Sequence, residues 1–158
     1  MSTIKERLTQ LGITLPAAKT PAFEYVAVAL HDGIAHVSGQ LPWLDSERVI
    51  SGKVGGDCDL EQAQQAARLC ILFGLAALNQ QLGSLDAIER ILKVTGFVAS
   101  APGFVSQPKV IDAASKLLGE VFGENGRHAR SAIGVAELPR GAAVEIELIV
   151  AIRTQATR

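Results

Sequence analysis

The stretch RHARSAIGVAELPRGAAVEIELIVAIR, Arg127–Arg153, decides how this chain folds. It reads as two β-strands joined by a Pro-Arg-Gly turn. Most of its residues are apolar or small, yet Arg130 stands near one end and Glu145 and Glu147 follow the turn. Side chains alternate along a strand. In the first strand Ser131, Ile133 and Val135 share one face, and Arg130, Ala132, Gly134 and Ala136 the other. In the second, Val144, Ile146, Leu148, Val150 and Ile152 form a continuous apolar face opposite Ala143, Glu145, Glu147, Ile149 and Ala151. A hairpin centred on Arg140-Gly141 aligns the two apolar faces, with Val135 opposite Ile146 and Ile133 opposite Leu148. Helices are expected on that face. The small-residue face leaves room for a further surface.

This register separates the charges. Arg130 falls opposite Ala151, and Glu145 lies further along the same strand by about 20 Å at ~3.3 Å per residue. No arginine side chain spans that distance. If the two groups act together, a second copy of the chain must bring them together. The plainer reading is that charges near strand ends are solvated or protect a sheet edge.

Upstream, Ile4, Leu8 and Leu11 recur at helical spacing and Gly12 closes the pattern, which predicts a short helix on the domain's edge. TLPAAKTP is a connector. Phe23 to Leu30 is strand-like, Asp32-Gly33 is a two-residue turn signal, and Ile34 to Ser38 returns. Residues 43–56 form a polar, Gly-containing loop. Asp59 is a good N-cap with Gln62 as its capping-box partner, and Gly83 suits the residue after a helix ending at Leu82. The apolar positions of that helix cover several faces, so it should be packed on several sides. IERILKVTGFVAS is apolar on both faces and reads as a central strand. Pro108 suits a helix's first turn, and Val110, Ala113, Ala114, Leu117, Leu118 and Val121 continue that helix to about Gly123. The expected fold is one α+β domain over residues 1–158. Residues 1–20 form a helix and connector. Residues 21–155 form a core with a mixed or antiparallel sheet of about five strands and two main helices on one face.

The bulk numbers exclude several classes. Hydrophobic residues make up 48% and charged residues 20%, against disorder, and the formal charge of -1 gives no nucleic-acid footprint. No signal-peptide core and no apolar run of membrane-spanning length is visible, so a cytoplasmic location is expected. LCILFGLAAL lies between capping signals and reads as buried helix. Cys58 and Cys70 look like reduced thiols without metal spacing. Cys58 precedes a helix start, where a thiolate can be stabilised, but no partner base is visible. His31 belongs to a turn, His36 reads as a packed or interfacial side chain, and His128 lies in the basic approach GENGRHAR. Three scattered histidines make a poor metal site. No phosphate-binding or nucleophile-elbow motif occurs. Neither a metal nor a cofactor is expected.

SGQLP at Ser38 to Pro42 and HARSAIGVAELPRGAAVEIE at His128 to Glu147 resemble the reactive-intermediate deaminase family, also called YjgF-like or endoribonuclease L-PSP-like. The resemblance runs from about Phe23 to Arg153. GKVGGD, VTGFVAS, QPKVIDAAS and EVFGENGRHARS are similar to a bacterial branch with an N-terminal extension. It implies a chorismate-mutase-like fold and a homotrimer whose sheets line a central barrel, with clefts between neighbours. It also implies hydrolysis of enamines and imines such as 2-aminoacrylate to 2-keto acids and ammonia. By the same resemblance Arg130 holds the substrate carboxylate, whose geometry a guanidinium fork matches. Glu145 positions or deprotonates water. The Tyr25 hydroxyl contacts water or substrate, Gly39 allows close backbone approach, and the backbone of Ala132 completes the cleft. Where the family often has cysteine this chain has Ala132, which excludes thiol chemistry there. Asp112, Ser115 and Trp43 are further candidates near the cleft. The other reading is a trimeric binder or sensor of small carboxylates such as 2-keto acids, without turnover. Ribonuclease activity gains little support, since there is no basic groove and no suitable histidine pair.

Overall fold

A computed structural model describes residues 1–154; residues 155–158, with the expected core end at residue 155, lie outside the described residues. The elements are α1 (Ile4–Gln10), β1 (Val28–His31), β2 (Ile34–Gln40), α2 (Leu60–Leu82), β3 (Ile88–Ala99), α3 (Gln107–Phe122), β4 (Ala129–Val135) and β5 (Val144–Ile152). The five strands form one mixed sheet in the order β1-β2-β5-β3-β4. Only β3 and β4 run parallel; the other neighbours are antiparallel. The helices α2 and α3 pack against each other and over one face of the sheet.

Local chemistry fixes the helices. At α2 the Asp59 carboxylate accepts from the Gln62 amide at 2.8 Å, and Gln62 Oε1 accepts from the Asp59 amide at 3.0 Å. Such a cap is worth about 1 kcal/mol. Gly83, at φ 81°, ends the helix in the left-handed conformation. The small residues Ala63, Ala66, Ala67 and Gly74 are buried and let α2 lie close on the sheet. At Gly74 an added Cβ would sit 3.2 Å from Leu148 Cδ1. α3 buries Val110, Ile111, Ala114, Leu117, Leu118 and Val121, with Pro108 in its first turn. Its Ile111 fills the space that Gly96 leaves open on β3.

The last two strands do not form a hairpin. β3 lies beside β4 and β5 alike, pairing Val94 with Arg130 and Ala99 with Val135 on one side, Thr95 with Glu147 and Phe97 with Glu145 on the other. The physical reason is the crossover β3–α3–β4, the kind of connection a parallel pair requires. It buries the apolar stripe of α3 against the edge of the sheet. Residues 136–143 then cross the end of β3: the Ser100 amide donates to Val135 O at 3.2 Å and the Ala99 amide to Ala143 O at 2.9 Å. Arg140 and Gly141 do adopt left-handed conformations, φ 60° and 68°, but within this crossing rather than a tight hairpin turn.

The faces of β4 are therefore the reverse of the sequence expectation. Register partners point to the same side of a sheet, so Arg130, Ala132 and Gly134 join Val94, Gly96 and Val98 beneath the helices. Ser131, Ile133 and Val135 lie on the open face, where Ile133 is 45% exposed. The faces of β5 agree with the expectation: Val144, Ile146, Leu148 and Val150 are buried in the core, while Glu145 and Glu147 lie on the open side. The first strand is shorter than expected, since β1 begins only at Val28. Residues 23–26 precede it, tied down where Ser38 Oγ donates to Val26 O at 2.7 Å.

One glycine carries a stability prediction. Gly126, in the turn after α3, packs against the Leu118 carbonyl so closely that a Cβ would lie 2.7 Å from its carbon and against its oxygen. A helix backbone cannot swing aside. Gly126→Ala should cost about 3 kcal/mol, lowering Tm by roughly 6–12 °C for a domain of this size. A thermal melt followed by circular dichroism checks this, and an unchanged Tm would mean that the turn does not seat on α3.

Candidate functional site

Arg130 reaches α3 from the sheet's edge strand. Its Nη1 donates to Ser115 Oγ at 3.1 Å and lies 3.5 Å from Asp112 Oδ1, and its Nη2 donates to Pro108 O at 3.4 Å. The side chain is 24% exposed, so the guanidinium is fixed yet still reachable. It borders a cavity of about 370 Å³ that Lys116, Arg127 and His128 also line. His128 is held on both ring nitrogens, Nδ1 2.6 Å from Gly126 O and Nε2 2.9 Å from Ser115 Oγ. Burial, then the positive charge of Arg130, hold its pKa below the ordinary imidazole range, against the opposing pull of the Gly126 carbonyl.

Glu145 occupies the other face. Its half-buried carboxyl crosses the backbone of Gly39, where a Cβ would meet Glu145 Oε1 and sit 2.9 Å from Cδ. The bulge between Val37 and Gln40 in β2 opens the ladder at this point. Burial, then the charge of Glu147, push the Glu145 carboxyl above the usual carboxylate range. Protonation is easier in the folded chain than in the unfolded one, so the folded state is favoured most below the unfolded pKa. That advantage is lost as pH rises through the folded value.

The structure brings Gly39 and Glu145 together, and Arg130 together with Asp112 and Ser115. It does not bring Arg130 to Glu145 within one chain. The correct obstacle is that they lie on opposite faces of the sheet, rather than far apart along a shared hairpin. Tyr25 precedes β1 and is 54% exposed. On β4, Ala132 pairs with Gly96 of β3, and among the described residues no further strand lies along the outer side of β4. His36 is exposed on the open face of β2, and His31 Nε2 lies 3.1 Å from Asp32 Oδ2 at the exposed turn. Trp43 is clasped between Lys19, 4.1 Å from its ring centre, and Arg140, at 4.9 Å, so it anchors the crossing segment to the loop before α2. Cys58 and Cys70 are buried free thiols, and burial pushes both pKa values up. Among the described residues no group of three or more His, Cys, Asp or Glu is placed to hold a metal, and no helix is long and apolar enough to cross a membrane. A larger cavity, about 440 Å³, lies between α1 and the end of α2. Among the described residues lining it, Lys5 alone is charged, and no carboxylate or imidazole stands beside it.

The Arg130–Ser115–His128 contacts were beyond sequence reading. Ser115 and His128 are separated by the last turns of α3 and a 3-10 turn, and no periodicity links a helix position to the loop that folds back on it. The sequence offers Ser115 and Asp112 as candidates near the cleft and His128 in the basic, Gly-rich GENGRHAR, without joining them.

Comparison with known proteins agrees with this architecture. The chain is 44% identical over 148 residues to Protein TCP17 of Trypanosoma cruzi, covering 93% of this chain and 92% of that one. The solved structure of Atu1372 from Agrobacterium tumefaciens, a protein of unknown function, is 47% identical. It superposes with a TM-score of 0.86 over 96% of this chain and 94% of that one. TdcF of E. coli, solved with bound serine, is 25% identical with a TM-score of 0.59, over 87% of this chain and 94% of that one. Residues 5–150 match the family described as "YjgF/chorismate_mutase-like, putative endoribonuclease". With the five-stranded mixed sheet, its helices on one face and these matches, the chain belongs to the YjgF/chorismate mutase-like family.

Proposed function

We propose that the protein is a cytoplasmic homotrimer that hydrolyses reactive enamines and imines such as 2-aminoacrylate to 2-keto acids and ammonia. The clefts lie where Arg130 of one copy meets Gly39 and Glu145 of the next. The observation that carries this reading is the placement of Arg130 and Glu145 on opposite faces of one sheet, each at an accessible surface. Only a neighbouring copy supplies the missing partner. The open face suits such docking: Ile133 stands out from it, and Phe23 and Val26 are 82% and 61% exposed nearby in sequence to β1. The unpaired edge of β4 suits it too.

The chemistry follows from the groups. Tautomerisation moves a proton from the enamine nitrogen to its carbon and gives an imine, which takes up a proton from solvent to become an iminium beside the carboxylate. The guanidinium of Arg130 holds that carboxylate through charge-assisted hydrogen bonds. Glu145, its pKa raised, takes a proton from the water that attacks the iminium carbon. Collapse of the resulting amino alcohol expels ammonia and leaves the 2-keto acid. Bound serine in the relative TdcF is a small molecule of similar size with a carboxylate.

The second reading, a carboxylate binder without turnover, draws on the engagement of Arg130 by Ser115 and Asp112. A guanidinium fixed in this way is a receptor whether or not water is activated. The experiment that separates them generates 2-aminoacrylate with a serine dehydratase and traps the remainder with semicarbazide. Faster loss of the imine with this protein supports the enzyme. Keto-acid binding without acceleration supports the binder and overturns the deaminase.

A further inference from the structure

We propose that Ser115 and His128 form a nucleophile–base pair that hydrolyses small anionic esters through an acyl-serine, an activity beyond imine hydrolysis. Three contacts define it. The Gly126 carbonyl only accepts, so His128 Nδ1, 2.6 Å away, carries the ring proton. Nε2 is then the free base, and it accepts from Ser115 Oγ at 2.9 Å. Arg130 Nη1 donates to the same oxygen at 3.1 Å, which favours its alkoxide character and leaves one lone pair for attack. A mid-helix serine ordinarily turns its hydroxyl back on the carbonyl one turn earlier; this one turns to a histidine. The arrangement meets the general test for an activated nucleophile, with a base in reach and an orienting group behind the base. His128 is the more available as a base because its pKa lies low.

The substrate class follows from the cavity beside the pair. Lys116, Arg127 and Arg130 line it against one carboxylate, Asp112, so its net charge is positive. In the reaction Ser115 Oγ bonds to the acyl carbon while its proton passes to His128 Nε2. The carbon–oxygen bond to the leaving alcohol breaks, and His128 returns the proton to that alcohol. Water, deprotonated by His128, then releases the acid and restores the serine proton. Arg130 Nη1, 3.1 Å from Ser115 Oγ, is the group that would meet the developing oxyanion.

The test is labelling with a fluorophosphonate, followed by intact mass and peptide mapping. One adduct per chain on Ser115 is expected, falling at least about 100-fold in rate in Ser115→Ala and in His128→Gln. No adduct, an adduct elsewhere, or full labelling of either variant overturns the proposal. Should His128→Gln fail to fold, the native protein's pH profile serves instead. Labelling should fall about tenfold per pH unit once the pH drops below the His128 pKa, which burial holds below the ordinary imidazole value, with Arg130, Asp112, Lys116 and Arg127 the charged groups facing it. A flat profile overturns the role of His128. The charge of the cavity predicts about tenfold faster turnover of mono-para-nitrophenyl succinate than of para-nitrophenyl acetate; equal or reversed rates overturn the anionic class.

Discussion

Arg130→Ala should lower kcat/KM for 2-aminoacrylate loss by about 100- to 1,000-fold, the worth of two charge-assisted hydrogen bonds to one carboxylate. The change should fall mainly on KM, because the guanidinium holds a group that keeps its charge throughout the reaction. Part of it should reach kcat, because a loosely held substrate presents its imine carbon to water less often in the attacking geometry. The side chain also ties β4 to α3 through Ser115, Asp112 and Pro108, so some loss of stability accompanies the loss of function. Arg130→Lys distinguishes the two effects. It keeps the charge but loses the fork, and should retain several-fold more activity than alanine. Equal activity of wild type and Arg130→Ala at low substrate would remove Arg130 from the site.

Gly39→Ala should reduce kcat by about 100-fold while leaving the fold intact. The new methyl group would occupy the place of the Glu145 carboxyl, within 2.9 Å of Cδ and against Oε1. The obstructing atoms are the far end of a flexible side chain, so the backbone need not move; the carboxyl swings away. Displacement of a catalytic group by an ångström is enough for a loss of this size. Substrate binding through Arg130 should persist. The pH profile offers a second reading of the same event. In the wild type, activity should fall as pH drops through the raised pKa of Glu145, since the protonated acid cannot accept from water. In Gly39→Ala and Glu145→Gln that limb should disappear from the residual rate. A Gly39→Ala enzyme with wild-type kcat would show that the carboxyl has no fixed catalytic position.

Much of the fold was legible because its signals were local. Asp59, Gln62 and Gly83 mark the ends of α2 with side-chain and backbone chemistry that needs no tertiary partner. Asp32-Gly33 marks the β1–β2 hairpin, with φ of 48° and 74°. The central place of β3 was legible from apolar residues on both faces. Arg127–Arg153 misled for a reason of the same kind. Arg140-Gly141 has the backbone of a turn, and alternation in two flanking strands suits a hairpin. Alternation says which residues share a face but not which strand lies alongside. The choice went to the crossover because α3 needs the β3–β4 edge to bury its stripe, a long-range demand. Of the candidate site, the residue types at Arg130, Gly39 and Glu145 could be read, and so could the face of Glu145 on β5, whereas the face of Arg130 on β4 is the reverse of the expectation. The contact of Gly39 with Glu145 joins residues far apart in the chain through a bulge. Tyr25 was read as lying in a strand that starts only at Val28.

The most direct measurement mixes two inactive variants. Differently tagged Arg130→Ala and Glu145→Gln chains are co-expressed, assemblies carrying both tags are isolated, and imine hydrolysis is compared with each variant alone. In a three-fold ring of either mixed composition about one cleft in three pairs a native Arg130 with a neighbour's native Glu145. Activity should therefore return to roughly a third of wild type per trimer. Mixed assemblies as inactive as their parents, or a protein that is a monomer in light scattering and fully active, would contradict the account.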